Sequence, residues 1–480
     1  MNNMASFSRF APALSLMVTL LAFWVTADRQ LLPEVAPEIL PFMDNMHEED
    51  VIAIEKPPPG YEPATTEAEW EPIFQMNLFR DFRRYKEKVA KVRHPLNLTG
   101  LAYQLKLLKR WRHVMVVMIR NNLIYWYLPT TDKEIRRRGR LHVQTLTEGS
   151  ERLQLQLPDT IYCFNLYDEP ICKMAGRCVV PVFSMHKRFN AKTDRAEDDD
   201  VLLPHLGHSF DRLLFFPWHQ KDPRAMLRAT MQASMDTDCV RAQLAELSSR
   251  IPGAKLLDVG FSRNRKESWD MPKSYQRPYI PIHSHALYKF LINADGHVSS
   301  SRLGYIMQTN SVILKQRSPW IEYYYRSLVP GTHVLEYGPE DVLDLLIKYK
   351  DPKLDGELRR LANASQHFCA KYLTTDGKVR YTVRALQEYT QLYGDAMPAL
   401  VQDVHVGPDR DLSPSDFETL MEMMRATKWR KDGGSSSSND SSNGTSDGSS
   451  SLRRRRRSNM TDAVEAGVGY LPIRLAGQQH

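Results

Sequence analysis

Between residues 79 and 89, Phe79, Phe82, Tyr85 and Val89 recur at spacings of three or four. That period places them on one face of a helix, and helix-like sequence begins just after Pro72. At residue 114 the period changes. Val114-Met115-Val116-Val117-Met118-Ile119, the polar pair Asn121-Asn122, and Leu123-Ile124-Tyr125-Trp126-Tyr127 predict two short strands around a turn. Residues 141–157 mix helix formers with apolar residues. Ile161-Tyr162-Cys163-Phe164-Asn165-Leu166 is a nearly continuous apolar run and predicts a buried parallel strand. It ends on Tyr167-Asp168-Glu169-Pro170. Residues 179–183 are a further strand candidate, and the charged stretch 194–200 reads as a solvated surface loop.

A second pattern of the same kind follows. Residues 225–230 lead into a helical stretch at 240–249. Strands are predicted at 255–259, 289–293 and 311–315, with a helix at 301–307. Amphipathic helices are expected at 343–349, 358–373 and 383–393. Strands alternating with helices predict an α/β class, here as two α/β halves facing a cleft. Open parallel sheets bind ligands outside the carboxyl ends of their strands, so the chemistry should sit just after the strands.

Composition adds bounds. With 42% hydrophobic residues in 480, a large core is possible, which excludes a collagen, a coiled coil and a wholly disordered chain. The net charge of +7 is concentrated in Arg136, Arg137, Arg138 and Arg140 and in the arginines at 453–457. The second run lies in a Ser/Gly/Asn tract without interleaved aromatics, so nucleic-acid binding is not expected. The five cysteines contain no CxxC pair, which argues against a zinc ribbon. Cys172 and Cys178 are near enough in sequence to bridge in an oxidising compartment. Arg9, the apolar stretch 10–25 and Val25-Thr26-Ala27 read as a signal peptide or short signal anchor. The sequons Asn97-Leu98-Thr99 and Asn363-Ala364-Ser365 fit a lumenal chain.

Two strand ends carry the candidate chemistry. One is Asn165-Leu166-Tyr167-Asp168-Glu169-Pro170. The other runs from Lys289-Phe290-Leu291-Ile292-Asn293 through Asp295-Gly296 to Ser300 and Arg302. A helix entered by Ser and Arg favours phosphate, through free amides and a two-pronged cation. The string from His285 through Leu328 contains His-x-x-x-Lys-Phe-Leu-Ile-Asn-x-Asp-Gly, then Ser-x-Arg-Leu-x-Tyr, then Ser-Val-Ile-Leu-Lys-Gln-x-Ser-Pro-Trp-x-Glu-Tyr-Tyr-Tyr. It resembles the CAP-type (capsule-associated-protein) glycosyltransferases, which include the Rumi-like protein O-glucosyltransferases and fungal capsule xylosyltransferases. Pro217-Trp218 with Lys221, Ala225 and Arg228 is similar to a second family segment.

The resemblance, over roughly 114–394, implies a GT-B-like fold of two Rossmann-like domains. The acceptor domain would span 73–205 and the nucleotide-sugar domain 206–410. A signal segment (1–27), a Pro- and acid-rich stalk (28–72) and a disordered tail (430–480) complete the division. It also implies an inverting transfer, without a metal, from UDP-glucose or UDP-xylose to a protein or glycan hydroxyl in the ER or Golgi lumen. The membrane would be reached only through an uncleaved N-terminus, as a single-pass type II protein. Asp168 falls where the family has its catalytic carboxylate. On chemical grounds Arg241 and Arg302 are candidates to neutralise the leaving diphosphate, with Ser300 and Thr230 as donors beside the Asp295-Gly296 turn. Glu322 is the candidate for a ribose diol. The chain departs from the family at Ala229, where Gly is usual, and at Gly331-Thr332; residues 194–211 match weakly.

Other readings attach to the same residues. Asp236-Thr237-Asp238 has the form of a metal-binding DxD but lacks a strong strand before it. His283 and His285 suit structural roles, and Tyr323-Tyr324-Tyr325 suits a core. The alternative function is a catalytically inactive binding protein on the same fold.

Overall fold

The computed structural model describes residues 51–54, 58–108, 111–172, 178–405 and 409–426. The expected signal segment, most of the expected stalk and the Ser- and Arg-rich tail lie outside the described residues.

The first of two five-stranded sheets contains β1 (Val114–Arg120), β2 (Leu123–Tyr127), β3 (Thr160–Asn165), β4 (Phe183–Ser184) and β5 (Val201–Leu202), in the order β2-β1-β3-β4-β5. The second contains β6 (Asp222–Met231), β7 (Leu257–Asn264), β8 (Tyr288–Asn293), β9 (Val312–Gln316) and β10 (Leu335–Tyr337), in the order β7-β6-β8-β9-β10. Every pairing in the second sheet is parallel. In the first, β1 runs against both neighbours, with Val116 opposite Tyr127 and Cys163, while β3, β4 and β5 are parallel. The strand predicted over 161–166 is therefore parallel on one side only. The α/β class with parallel sheets is as expected.

Side chains alternate across the second sheet as a pleat requires. Met226, Leu291 and Ile313 face a core shared with the first sheet. Leu227, Ile292 and Leu314 face the other way, onto Ala242, Ala245, Leu346 and Leu361. The helix Thr375–Gln391 packs on Lys133–Arg152, and Ala396–Asp403 lies against β1 and β3, so the chain returns to the first sheet after leaving the second.

Local chemistry explains the element ends. Asn121 and Asn122 both take positive φ, 50° and 63°, as a two-residue hairpin turn demands. The helix Lys133–Arg152 starts earlier than the apolar pattern suggested, because Asp132 accepts from the amides of Glu134 and Ile135. Likewise the first long helix starts at Glu67, ahead of Pro72, because Thr66 and Glu69 form a capping box. Pro72 sits inside that helix, and the chain passes through a π-helical turn, Phe74–Leu78, into Phe79–Val92.

Three further expectations change. The strand expected over 179–183 is only the two-residue β4. The stretch 194–200 is solvated only over its first four residues. Arg195–Ala196 pairs with Lys187–Asn190, and Asp198 and Asp200 are buried. Asp200 accepts from the amides of Ile171 and Cys172 at 3.0 Å and from Ser184 Oγ at 2.5 Å, which offsets the cost of burying it. The helix expected over 301–307 is a five-residue turn, Arg302–Ile306, too short to supply much dipole. Cys172 and Cys178 form a disulfide. Among the described residues no helix is long and apolar enough to cross a membrane.

Candidate active site at the strand ends

The carboxyl ends of strands from both sheets open onto one cavity of about 220 Å³. The first sheet contributes Asp168 after β3, His186 after β4 and His205 and His208 after β5. The second contributes Gln232 after β6, and Gly296 and Ser299 to Ser301 after β8. Two helices add Arg137, Arg138 and Arg241.

Asn165 shapes the turn that carries Asp168. Its Oδ1 accepts from the Tyr167 amide at 3.1 Å and its Nδ2 donates to the Glu169 carbonyl at 2.7 Å. Arg138 Nη1 then donates to Asp168 Oδ1 at 2.7 Å and to the Leu166 carbonyl at 3.1 Å, which fixes the carboxylate's direction. The Asp168 side chain remains one-third exposed, at 33%. Three histidines share this wall. Burial pushes His186 down to about 4 and His208 to about 3, and holds His205 well below the usual range. All three are neutral near pH 7, so they do not add cations beside the carboxylate.

The opposite wall is cationic. Arg241 is buried and donates to the carbonyls of Ala294 and Thr230, tying the ends of β8 and β6 together. Gly296 sits against it: a Cβ there would lie 2.9 Å from Gln232 Oε1 and 3.1 Å from Arg241 Nη2, so any side chain would make both give way. Asp295 lies beneath, accepting from Ser318. Burial pushes it up to about 6.

Arg302 lines an adjoining cavity of about 240 Å³ with Arg228, Ala229, Thr230, Arg263 and Tyr279. Its Nη1 is buried and has no partner among the described residues. Desolvation, then the charge of Arg241, push it down to about 9. A buried guanidinium in that state favours an anion. A bulge at Ala229/Thr230, opposite Ser262, shapes this cavity.

The structure thus brings Asp168, Arg241, Gly296 and Ser300 to one cavity, and Thr230 and Arg302 to its neighbour. Glu322 lines neither. It is buried, takes a hydrogen bond from Tyr325 at 3.3 Å, and burial raises it to about 7. Tyr323, Tyr324 and Tyr325 are buried, and so is His285, on the wall of the adjoining cavity. Asp236 and Asp238 are exposed in the turn after β6. Among the described residues no group of three or more His, Cys, Asp or Glu side chains is placed to share a metal ion. Glu169 contacts His297, with Nε2 and Oε1 2.5 Å apart.

Sequence reasoning missed Arg137, Arg138, His186, His205, His208, Gln232 and His297. The arginines had a signal: a basic run opening a helix capped by Asp132.

Residues 212–407 match the family model described as glycosyl transferase family 90. The match covers the second sheet and the helices after it, and it contains the whole 285–328 string on which the CAP-type, Rumi-like resemblance rested. Asp168 and Arg138 lie before it. Among curated relatives, human protein O-glucosyltransferase 3 is 31% identical over 179 residues, 36% of this chain and 33% of the relative. Zebrafish (Danio rerio) protein O-glucosyltransferase 2 is 35% identical over 106 residues, covering 22% and 21%. The O-glucosyltransferase rumi of Drosophila melanogaster is 23% identical over 208 residues, covering 42% and 48%. In each case the aligned stretch spans less than half of the relative's length.

Proposed function

We propose that this protein is an inverting, metal-independent glycosyltransferase with a GT-B-like arrangement. It moves glucose, or else xylose, from a UDP-sugar to a protein or glycan hydroxyl in the secretory pathway. One observation carries the reading: a carboxylate from the first sheet and a cationic, glycine-containing strand end from the second line the same cavity.

In this reading Asp168 accepts the acceptor hydroxyl's proton as that oxygen attacks the anomeric carbon. The bond to the nucleotide diphosphate breaks on the opposite side, so one displacement inverts the centre. Arg138 orients the base. Arg241, Ser300 and the Gly296 backbone receive the leaving diphosphate, and Arg302 and Thr230 extend that positive wall into the adjoining cavity. Preorganised cations of this kind stabilise charge that develops in the transition state. Asp295, partly buried, and Glu322, buried, position the segments around the donor, with Glu322 the candidate for a ribose diol. Glucose is preferred because the relatives are named O-glucosyltransferases. The lumenal location is supported by the Cys172–Cys178 disulfide and by the exposure of Asn97 and Asn363 in their sequons.

The test is a panel of sugar nucleotides with detection of released nucleotide diphosphate, in EDTA and in Mn²⁺. Release from UDP-glucose or UDP-xylose, unchanged by EDTA, is expected. Loss in EDTA with recovery in Mn²⁺ would overturn the metal-independent mechanism and return attention to Asp236 and Asp238.

A further inference from the structure

Two polar contacts cross between the sheets beside the cavity, and both use the loop after β8. His297 meets Glu169 at 2.5 Å, and Ser299 Oγ meets His186 Nδ1 at 2.5 Å. The first does not serve to bury its partners: the His297 and Glu169 side chains are 28% and 35% exposed. What they join is specific. Glu169 follows Asp168 directly, and His297 follows Gly296 directly. Each is anchored on its own sheet. Asn165 holds the Glu169 carbonyl at 2.7 Å, and Gln232 Oε1 accepts from the His297 amide at 3.0 Å. A short side-chain bond between two immobilised backbones fixes the separation of the residues beside them.

We infer that the Glu169–His297 pair is a strut that sets the distance between the carboxylate of Asp168 and the anion-binding loop at Gly296. These are positioning residues; they touch neither reacting atom. The inference rests on the proposed transferase function. Misplacement by about 1 Å costs up to about 10²-fold in rate while leaving ground-state binding nearly intact.

The full chain is compared with Glu169→Gln, His297→Gln and the double variant, by kcat and by calorimetric UDP affinity. Each single variant should lose about tenfold or more in kcat with UDP affinity unchanged, and the double should be no worse than the poorer single, because one bond is lost once. Multiplying losses in the double, unchanged kcat in either single, or a fall in UDP affinity parallel to kcat would each overturn the strut. If the wild-type chain transfers no sugar, the transferase reading fails, and the strut is judged by amide hydrogen exchange at 296–300. Faster exchange in both singles, with no further gain in the double, supports it; unchanged exchange overturns it.

Discussion

The two sheets share a strand order, yet only one is parallel throughout. In the first, β2, β3, β4 and β5 run the same way and β1 alone is reversed. The Asn121-Asn122 turn replaces the crossover helix that a parallel β1–β2 pair would need. In the second, the crossover from β6 to β7 includes the helix Val240–Ser248, which delivers Arg241 to the strand ends. The first sheet delivers its own arginine one connection later, on Lys133–Arg152 between β2 and β3. The two arginines then differ in what they meet. Arg138 is paired with Asp168, so its charge serves to aim a carboxylate. Arg241 meets backbone carbonyls, and the neighbouring Arg302 has an unpartnered nitrogen. One edge is thus suited to hold a base and the other to receive an anion.

The sharpest way to break that division is Asp168→Asn, which keeps the shape of the side chain and removes its ability to take a proton. Transfer should fall about 10²-fold or more, while UDP affinity, measured by calorimetry, stays at the wild-type value. Near-normal turnover would remove the base from the first sheet altogether.

How much of this could be read from the residues follows from the same contrast. Strands buried on both faces appear as continuous apolar runs, so β8 and β9 stood out. β6 did not, because Pro223, Arg224 and Arg228 interrupt it; Arg228 is accommodated by a buried pair with Asp258 at 2.9 Å. In the first sheet β4 and β5 have two residues each, too few for any period. Asp198-Asp199-Asp200 looked solvated because buried acids are rare unless paired, and its donors come from residues 171, 172 and 184, which local pattern cannot supply. Asp168, Gly296 and Ser300 were found because a strand end is a local feature. The histidines were not, since their approach to the cavity is made by tertiary packing. The placement of Glu322 away from both cavities was likewise invisible in its motif.

On the second edge, Arg302→Ala should weaken UDP binding by about 1–3 kcal/mol, the cost of leaving a charged partner unmatched. The circular dichroism of the folded variant should be unchanged. Equal UDP affinity would mean that the unpartnered Nη1 faces no anion. Gly296→Ala should have a smaller effect, about tenfold in kcat, because its Cβ meets the flexible ends of Gln232 and Arg241 and both can shift by a few tenths of an ångström. Full activity in Gly296→Ala would show that the loop need not approach so closely.

The least effect on transfer is expected from Asp200, which braces the first edge from behind. Three donors favour its ionised form, but burial dominates and pushes it up to about 6. The folded state therefore holds this proton at pH values where the unfolded chain, near 3.9, has released it. Stability rises with pH only where the unfolded state binds more protons, and here the folded state does. The contribution of Asp200 is thus fully present below about pH 4 and is lost as pH rises through about 6, an effect of about 2–3 kcal/mol in all. Urea denaturation at several pH values would isolate it as the difference between wild type and Asp200→Asn, whatever the absolute loss in the variant. Relative to Asp200→Asn, wild type should lose stability between pH 4 and 6.5. A gain over that interval would mean that the amides of Ile171 and Cys172 outweigh burial.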